Sequence, residues 1–201
     1  MTLEYAKQNP GKNTYSAAKK YSELAVWEWA DAHPHVDVTT SKSITLGFPR
    51  IKLTVSHQTV LPSYIYGPFP PKFLPLPKPD FEVISTTLII YNLLFPTGGY
   101  PLDSAYIDFR DCARAHVGAL DSKPDKNNKK RIIFSSPHGL TFEKVFDIIK
   151  KAHPELESRL ATAPPAQFPF DRNNCDFKRI EEVTGMRKED FHTLEEVMLH
   201  F

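Results

Sequence analysis

Thr14-Tyr15-Ser16-Ala17-Ala18-Lys19 is the stretch on which the reading of this chain turns. Tyr15 and Lys19 are four residues apart, so on a helix both side chains leave one face, a turn apart. A lysine charge beside a phenol favours the ionised phenol, and such a phenol can pass a proton to a developing alkoxide or take one back. The ammonium has further donors for sugar hydroxyls. A helix is expected here. Apolar or small residues fall at Ala17, Ala18, Tyr21, Leu24, Ala25 and Trp29, the spacing of one buried stripe. Asn13 or Thr14 can cap it, and Pro10 and Gly11 stop it extending backwards. The helix is expected over about Tyr15 to Ala32. Spacing alone is weak evidence for catalysis, because many helices carry Tyr and Lys one turn apart.

The 201 residues suffice for a real core, and the net charge of +1 selects no partner class. The one basic run, Lys126 to Arg131, reads as a solvated loop, and no nucleic-acid surface is expected. Cys112 and Cys175 form no motif, which suits a reduced, cytoplasmic setting. Met1 to Lys12 is polar and does not read as a signal peptide, and Leu88 to Phe95 is too short to span a bilayer. No membrane partner is expected. The glycines, at 11, 47, 67, 98, 99, 118, 139 and 185, include no Gly-x-Gly pair. The dinucleotide fingerprint, whose glycines let backbone approach a pyrophosphate at a helix N-terminus, is therefore absent.

After the first helix, Asp31-Ala32-His33-Pro34-His35-Val36-Asp37 carries a D-x-H-x-H-x-D string, read as a polar turn rather than a metal site. Val36 to Thr40 is β-branched, a short buried strand. Ile51, Leu53 and Val55 alternate and could form another. Leu61-Pro62-Ser63-Tyr64-Ile65-Tyr66-Gly67-Pro68-Phe69 reads as a proline-bearing loop. Pro68 to Pro79 holds six prolines, a stiff loop in which a PxxP ligand is the lesser reading. Ser85 to Leu94 is expected as a helix with Leu88, Ile89, Tyr91 or Asn92, and Leu94 on one face. Pro96 to Pro101 is a turn cluster. Tyr106 to Phe109 reads as a strand, with Asp111 capping a helix whose packed face holds Ala113, Ala115, Val117 and Leu120. Asp108, Arg110, Asp111 and His116 read as structural: a buried Arg–carboxylate pair and a capped helix. Arg131 to Ser136 is a strand. Thr141 caps a helix carrying Phe142, Val145, Phe146, Ile148 and Ile149, ended by His153-Pro154. Ala163-Pro164-Pro165 is a linker. Phe177 to Val183 closes on Gly185, and Thr193 to Phe201 is a terminal helix.

Three of these motifs in this order carry a resemblance. Tyr15 to Lys19, continued by Ser22-Glu23-Leu24-Ala25-Val26-Trp27-Glu28-Trp29, resembles the YxxxK helix of the extended short-chain dehydrogenases/reductases, the NAD-dependent epimerase/dehydratase type. Leu61 to Phe69 resembles that family's Pro-x-x-x-x-Gly-Pro segment. Ser104 to Leu120 is similar to its Asp-x-Arg-Asp strand–helix, and Lys178 to Met186 to its ending. The branch most resembled holds fungal aldehyde and ketone reductases, dihydroflavonol reductases and cinnamoyl-CoA reductases.

The resemblance implies an α/β fold: the C-terminal part of an NAD(P)-binding Rossmann fold plus a substrate-binding lobe, without the glycine-rich N-terminal half. Residues 1–69 would be the remnant of the dinucleotide-binding domain. Residues 70–201 would be mainly the lobe, with late sheet elements at 104–121 and 131–136. Tyr15 would be the proton donor and Lys19 would hold the nicotinamide ribose. Pro62, Ser63, Tyr64 and Ile65 would touch the cofactor, NADP rather than NAD from the branch. The substrate would be a small carbonyl compound, an aldehyde or ketone, and no metal is implied. Residues 41–60 have no counterpart in the family pattern and read as an atypical insert, a translated intron by hypothesis. Joining Thr40 to Leu61 restores the expected run. The catalytic serine or threonine is also missing, so weak cofactor affinity, little activity and poor solubility are expected. Two further readings are a non-catalytic fragment pairing with a full-length paralogue through the 15–32 helix, and a nucleotide-sugar epimerase or dehydratase. Trp27-Glu28-Trp29 and the Asp-x-Arg-Asp segment favour the reductase over the latter.

Overall fold

The computed structural model describes residues 2–36, 38–41, 57–68, 85–98, 105–123, 130–162 and 175–200. The chain opens with a short helix that the sequence did not announce, α1 (Leu3–Gln8), capped by the Thr2 hydroxyl, which accepts from the Tyr5 N–H at 3.2 Å. Helix α2 (Lys12–Ala32) follows. It starts a turn earlier than expected, and neither Asn13 nor Thr14 caps it. Gly11, at φ +82°, is its N-cap, with no side-chain cap bond. That backbone conformation turns α1 into α2 and is open to glycine at little cost.

Three parallel strands form the main sheet, in the order β1 (Val38–Ser41), β2 (His57–Pro62), β5 (Lys130–Phe134). β2 is central. Thr59 pairs with Thr40 on one side and Arg131 on the other. The segment 61–69 is thus not simply a loop. Leu61 and Pro62 end β2, and β3 (Tyr64–Tyr66) pairs in parallel with β4 (Tyr106–Asp108) as a second small sheet. The insert is likewise not wholly dispensable. Its residues 57–60 supply the first four positions of the central strand, and Val60 is fully buried. Joining Thr40 to Leu61 would require Val38–Thr40 to take the place now held by Gln58–Val60. Residues 42–56, with Ile51, Leu53 and Val55, lie outside the described residues. So do Asp37, the proline run from Phe69, Lys126 to Lys129 and the 163–165 linker, while Lys130 and Arg131 of the basic run lie in β5 rather than in a loop.

Two apolar cores flank this framework. In the first, Val60, Ile132 and Phe134 from the sheet meet α4 (Phe109–Leu120) and α6 (Phe177–Thr184) through Cys112, Ala115, Ile180 and Val183. In the second, Tyr66 and Tyr106 meet α3 (Ser85–Asn92), α5 (Phe142–Ala152) and α7 (Leu194–Leu199). β4 joins the two because side chains alternate along a strand: Tyr106 enters the second core and Ile107 the first. Arg131 and Ile133 fall on the sheet face away from α4, and Arg131 Nε reaches Glu23 Oε1 of α2 at 2.9 Å. α4 and α6 cover one face of the sheet, and α2 reaches the other through this ion pair, with Ile133 left exposed beside it.

Helix ends follow local chemistry where the sequence supplies it. Thr141 caps α5, Gly185 at φ +71° closes α6, and Thr193 forms a reciprocal capping box with Glu196 at α7. Three face assignments differ from the expectation. On α3 the buried positions are Thr87 and Ile90, continued by Leu93, rather than Leu88 and Ile89. On α4 they are Asp111, Cys112, Ala115 and Ala119, while Val117 and Leu120 are exposed. On α2, Ala17, Trp27 and Ala30 are buried, and Ala18, Tyr21, Ala25 and Trp29 of the expected stripe face out. In each case the stripe was drawn about one position off, because neighbouring faces of the helix are nearly equally apolar.

Candidate active site

Tyr15 and Lys19 sit one turn apart on α2, as their spacing requires, with Lys19 Nζ 5.4 Å from the centre of the Tyr15 ring. This is a cation facing an aromatic ring. Tyr15 is 44% exposed.

α2 joins the amino end of β1 through the short turn after Ala32, so it runs against the strands and its first turns lie towards their carboxyl ends. Glu23 is level with Arg131, near the start of β5. At about 1.5 Å per residue, Lys19 and Tyr15 stand roughly 6 and 12 Å beyond Glu23 along the helix. At about 3.3 Å per residue, Phe134 stands roughly 10 Å beyond Arg131. Pro62 pairs with Phe134, and the Ser63 N–H donates to the Phe134 carbonyl at 3.0 Å. The pair on α2 and the Pro62–Ser63 corner thus occupy one end of the sheet, the carboxyl end, where open parallel sheets bind ligands.

At that corner the Ser63 hydroxyl is buried and has no hydrogen-bond partner among the described residues. A buried polar atom left unsatisfied costs stability unless a ligand or water meets it. The next residues, Tyr64 and Ile65, are half-buried in β3, Ile65 against the first core and Tyr64 against the second. These groups suit one end of a nicotinamide nucleotide. Lys19 offers donors for ribose hydroxyls, and Ser63 an unmet hydroxyl for a carboxamide. The chain has no Gly-x-Gly pair to cradle a pyrophosphate, so only the nicotinamide side is furnished by these residues.

The other cluster weighed from the sequence is structural, with a different membership. Asp108, not Asp111, is the N-cap of α4. Its Oδ1 accepts from the Arg110 N–H at 2.7 Å, and the Arg110 fork closes on both oxygens at 2.9 and 2.8 Å. The strand ends and the helix begins with no residue between, so the cap falls three positions early. Asp111 lies in the first turn, fully buried. It accepts from the His192 N–H at 2.9 Å, from Arg114, and meets His192 Nδ1 at 2.6 Å. His192 was not singled out in the sequence, since 81 residues separate it from Asp111. His116 does not join the cluster. Its Nδ1 meets the Cys112 carbonyl at 2.5 Å. Burial pushes the Cys112 thiol up to about 11, with Asp111 adding to the rise, so this thiol is inert at neutral pH. Burial also pushes the Tyr106 phenol up to about 12. The Ser136 hydroxyl works the other way, and Asp111 and Asp108 add to the rise.

His33, from the D-x-H-x-H-x-D string, stacks on Trp29 at 4.1 Å between ring centres. Among the described residues no group of three or more side chains is placed to hold a metal ion, and no helix is long and apolar enough to cross a membrane. Among the described residues, Cys112 and Cys175 are in no disulfide.

The α/β architecture matches the C-terminal part of solved Rossmann-type reductases, and the order of the three motifs is similar to that of the extended short-chain dehydrogenases/reductases. More particularly, the chain is 24% identical over 197 residues to a Candida albicans protein, GRP2, whose name gives it provisionally as an NADPH-dependent methylglyoxal reductase. The match covers 95% of this chain and 50% of that protein. Among solved structures, Gre2 from Candida albicans superposes with a TM-score of 0.64 at 20% identity, covering 100% of this chain and 53% of that one. Yeast methylglyoxal/isovaleraldehyde reductase Gre2, solved with NADPH, gives 0.63 at 21% identity, covering 98% and 52%. The chain spans about half the length of the curated relatives it matches. No family model matches it. The relatives' NADPH dependence agrees with the cofactor that the sequence resemblance implies.

Proposed function

We propose that this chain carries the acid/base and nicotinamide-side part of an NADPH-dependent carbonyl reductase of the extended short-chain type. The observation that carries the proposal is the Tyr15–Lys19 pair at the carboxyl end of the parallel sheet, the end that also holds the unmet Ser63 hydroxyl. NADPH, when bound, supplies the hydride. Tyr15 Oη gives the proton that the substrate oxygen takes up as the carbonyl becomes an alcohol. Lys19 holds ribose hydroxyls. Pro62, Ser63, Tyr64 and Ile65 form the wall against the nicotinamide, with Ser63 meeting its carboxamide. In this reading residues 1–69 serve the cofactor and residues 70–201 chiefly the substrate. The relatives' names point to α-oxoaldehydes such as methylglyoxal as the first substrates to try.

A titration of the purified chain with NADPH and with reduced nicotinamide mononucleotide, followed by nicotinamide fluorescence, tests this. With only the nicotinamide side furnished, both ligands should saturate within about threefold of each other. Tyr15→Phe should retain that binding and abolish any oxidation of NADPH by methylglyoxal. If neither ligand saturates, the proposal fails.

A second reading has its own observation. Ala18, Tyr21, Ala25 and Trp29 form an exposed apolar stripe along α2. Such a face favours a non-catalytic role in which α2 pairs with a full-length paralogue. Co-purification with that paralogue, lost on Tyr21→Lys with Ala25→Glu, would favour this reading over catalysis by the chain alone.

A further inference from the structure

The two motifs that bracket the candidate site meet at one point. Gly67 ends the Pro-x-x-x-x-Gly-Pro segment at φ +122°, a conformation that side chains avoid. A Cβ there would lie 2.9 Å from Asp108 Oδ2 and 3.3 Å from the Phe109 ring. Asp108 is fully buried, and its described hydrogen bonds all come from Arg110, three donors from one residue. Between this contact and Ser63 lie only the three residues of β3, paired in register from Tyr64 with Tyr106 to Tyr66 with Asp108. At the other end, Ser63 is tied to Phe134. The segment is thus tied to the sheet at Ser63 and, at Gly67, passes so close to the Asp108 carboxylate that no side chain would fit between them.

We propose that Asp108, gripped by Arg110 and pressed against Gly67, is a positioning residue for the nicotinamide-side wall Pro62–Ile65. The inference rests on the proposed function for what that wall faces, and on geometry alone for how it is held. The carboxylate has two tasks. Its Oδ1 caps α4 through the Arg110 N–H, which structure alone would require. Its Oδ2, held by the Arg110 fork, sets how closely the backbone at Gly67 can approach. Arg110→Lys separates the two, because the backbone cap stays while the fork is lost.

Peptide-resolved amide exchange on the full chain tests the geometry. Asp108→Asn and Arg110→Lys should each speed exchange at 64–67 at least tenfold and leave α5 unchanged, and Arg110→Lys should also leave the start of α4 unchanged. Uniform acceleration along the chain, or none at 64–67 in Arg110→Lys, overturns the proposal. Should Asp108→Asn not fold, Arg110→Lys decides alone. NADPH titration of the same variants tests the link to function. If the parent saturates, Arg110→Lys should bind about tenfold more weakly, and unchanged affinity overturns the positioning role. If the parent does not saturate, the proposed function fails, while the exchange result still decides whether Asp108 holds the wall.

Discussion

Helices α2 and α4 look alike in the sequence, each an apolar stripe beside a motif, and the structure treats them in opposite ways. α4 is fixed at its start and along its buried face. Asp108 caps it, and Asp111 in its first turn is buried and bonded to His192 and Arg114. Gly118 lies so close to α6 that a Cβ would stand 2.0 Å from the Thr184 carbonyl oxygen. α2 is long, capped only by a glycine, and leaves Tyr15, Tyr21 and Trp29 at the surface. It is tied to the sheet through the Glu23–Arg131 ion pair. The helix that holds the framework is over-determined, and the helix that would carry the chemistry is open. Proton transfer needs an accessible phenol, whereas a scaffold needs interlocking contacts, so a site of this kind pairs the two.

The contrast is broken most directly at Asp111. Asp111→Ala leaves His192 and Arg114 facing an empty buried site and removes the link from α4 to the segment before α7. A loss of about 3 kcal/mol is expected, since removing one partner of a buried pair strands the others. Urea unfolding measures it, and a loss under about 1 kcal/mol would show that α4 is not locked as described.

Alkaline pH probes the same region. The Tyr106 phenol is pushed up to about 12 by burial, so the folded chain keeps a proton that the unfolded chain gives up near pH 10. Its contribution is full below about pH 10 and is lost as pH rises towards 12, by roughly 2 to 3 kcal/mol over that window. The Cys112 thiol, at about 11, adds a similar decline starting nearer pH 9. Tyr106→Phe should match the parent within about 1 kcal/mol at pH 7 and unfold less readily at pH 11. Parallel stability curves for the two proteins across this range would contradict the burial of Tyr106.

Gly118→Ala comes next. The added methyl meets backbone rather than a movable side chain, so α4 and α6 must part. A cost of about 2 kcal/mol is expected by thermal or urea unfolding. If the substitution is neutral, the two helices are not packed this closely.

What could be read in advance follows from where the determining information sits. α5, α6 and α7 were legible because their ends are written locally, in Thr141, Gly185 and the Thr193–Glu196 box. The Tyr15–Lys19 juxtaposition was legible for the same reason, being a matter of helical pitch. The Asp111–His192 bond was not, because nothing near Asp111 announces a partner 81 residues away. Nor was β2 as the central strand. Its residues 57–60 earn that place by pairing with β1 and β5, segments that flank it at a distance in sequence. The buried face of α2 is not legible, because Trp27 and Trp29 are equal in composition and only the fold decides that Trp27 goes in.

The smallest effect sharpens the comparison from the other side. Tyr15→Phe and Lys19→Gln alter an exposed phenol and a half-buried ammonium whose described contact is with each other. Surface changes of this kind cost within about 0.5 kcal/mol. Urea midpoints should therefore stay close to the parent's, in contrast to Asp111→Ala. Of the two, Lys19→Gln should weaken reduced-nicotinamide binding, since it removes a charged donor to the ribose, while Tyr15→Phe should leave binding intact. A loss of more than about 1 kcal/mol in either variant would mean that the pair helps hold α2 to the sheet. Unchanged stability in both variants, with nicotinamide binding weakened in Lys19→Gln alone, would place these two residues outside the framework, in the service of a ligand.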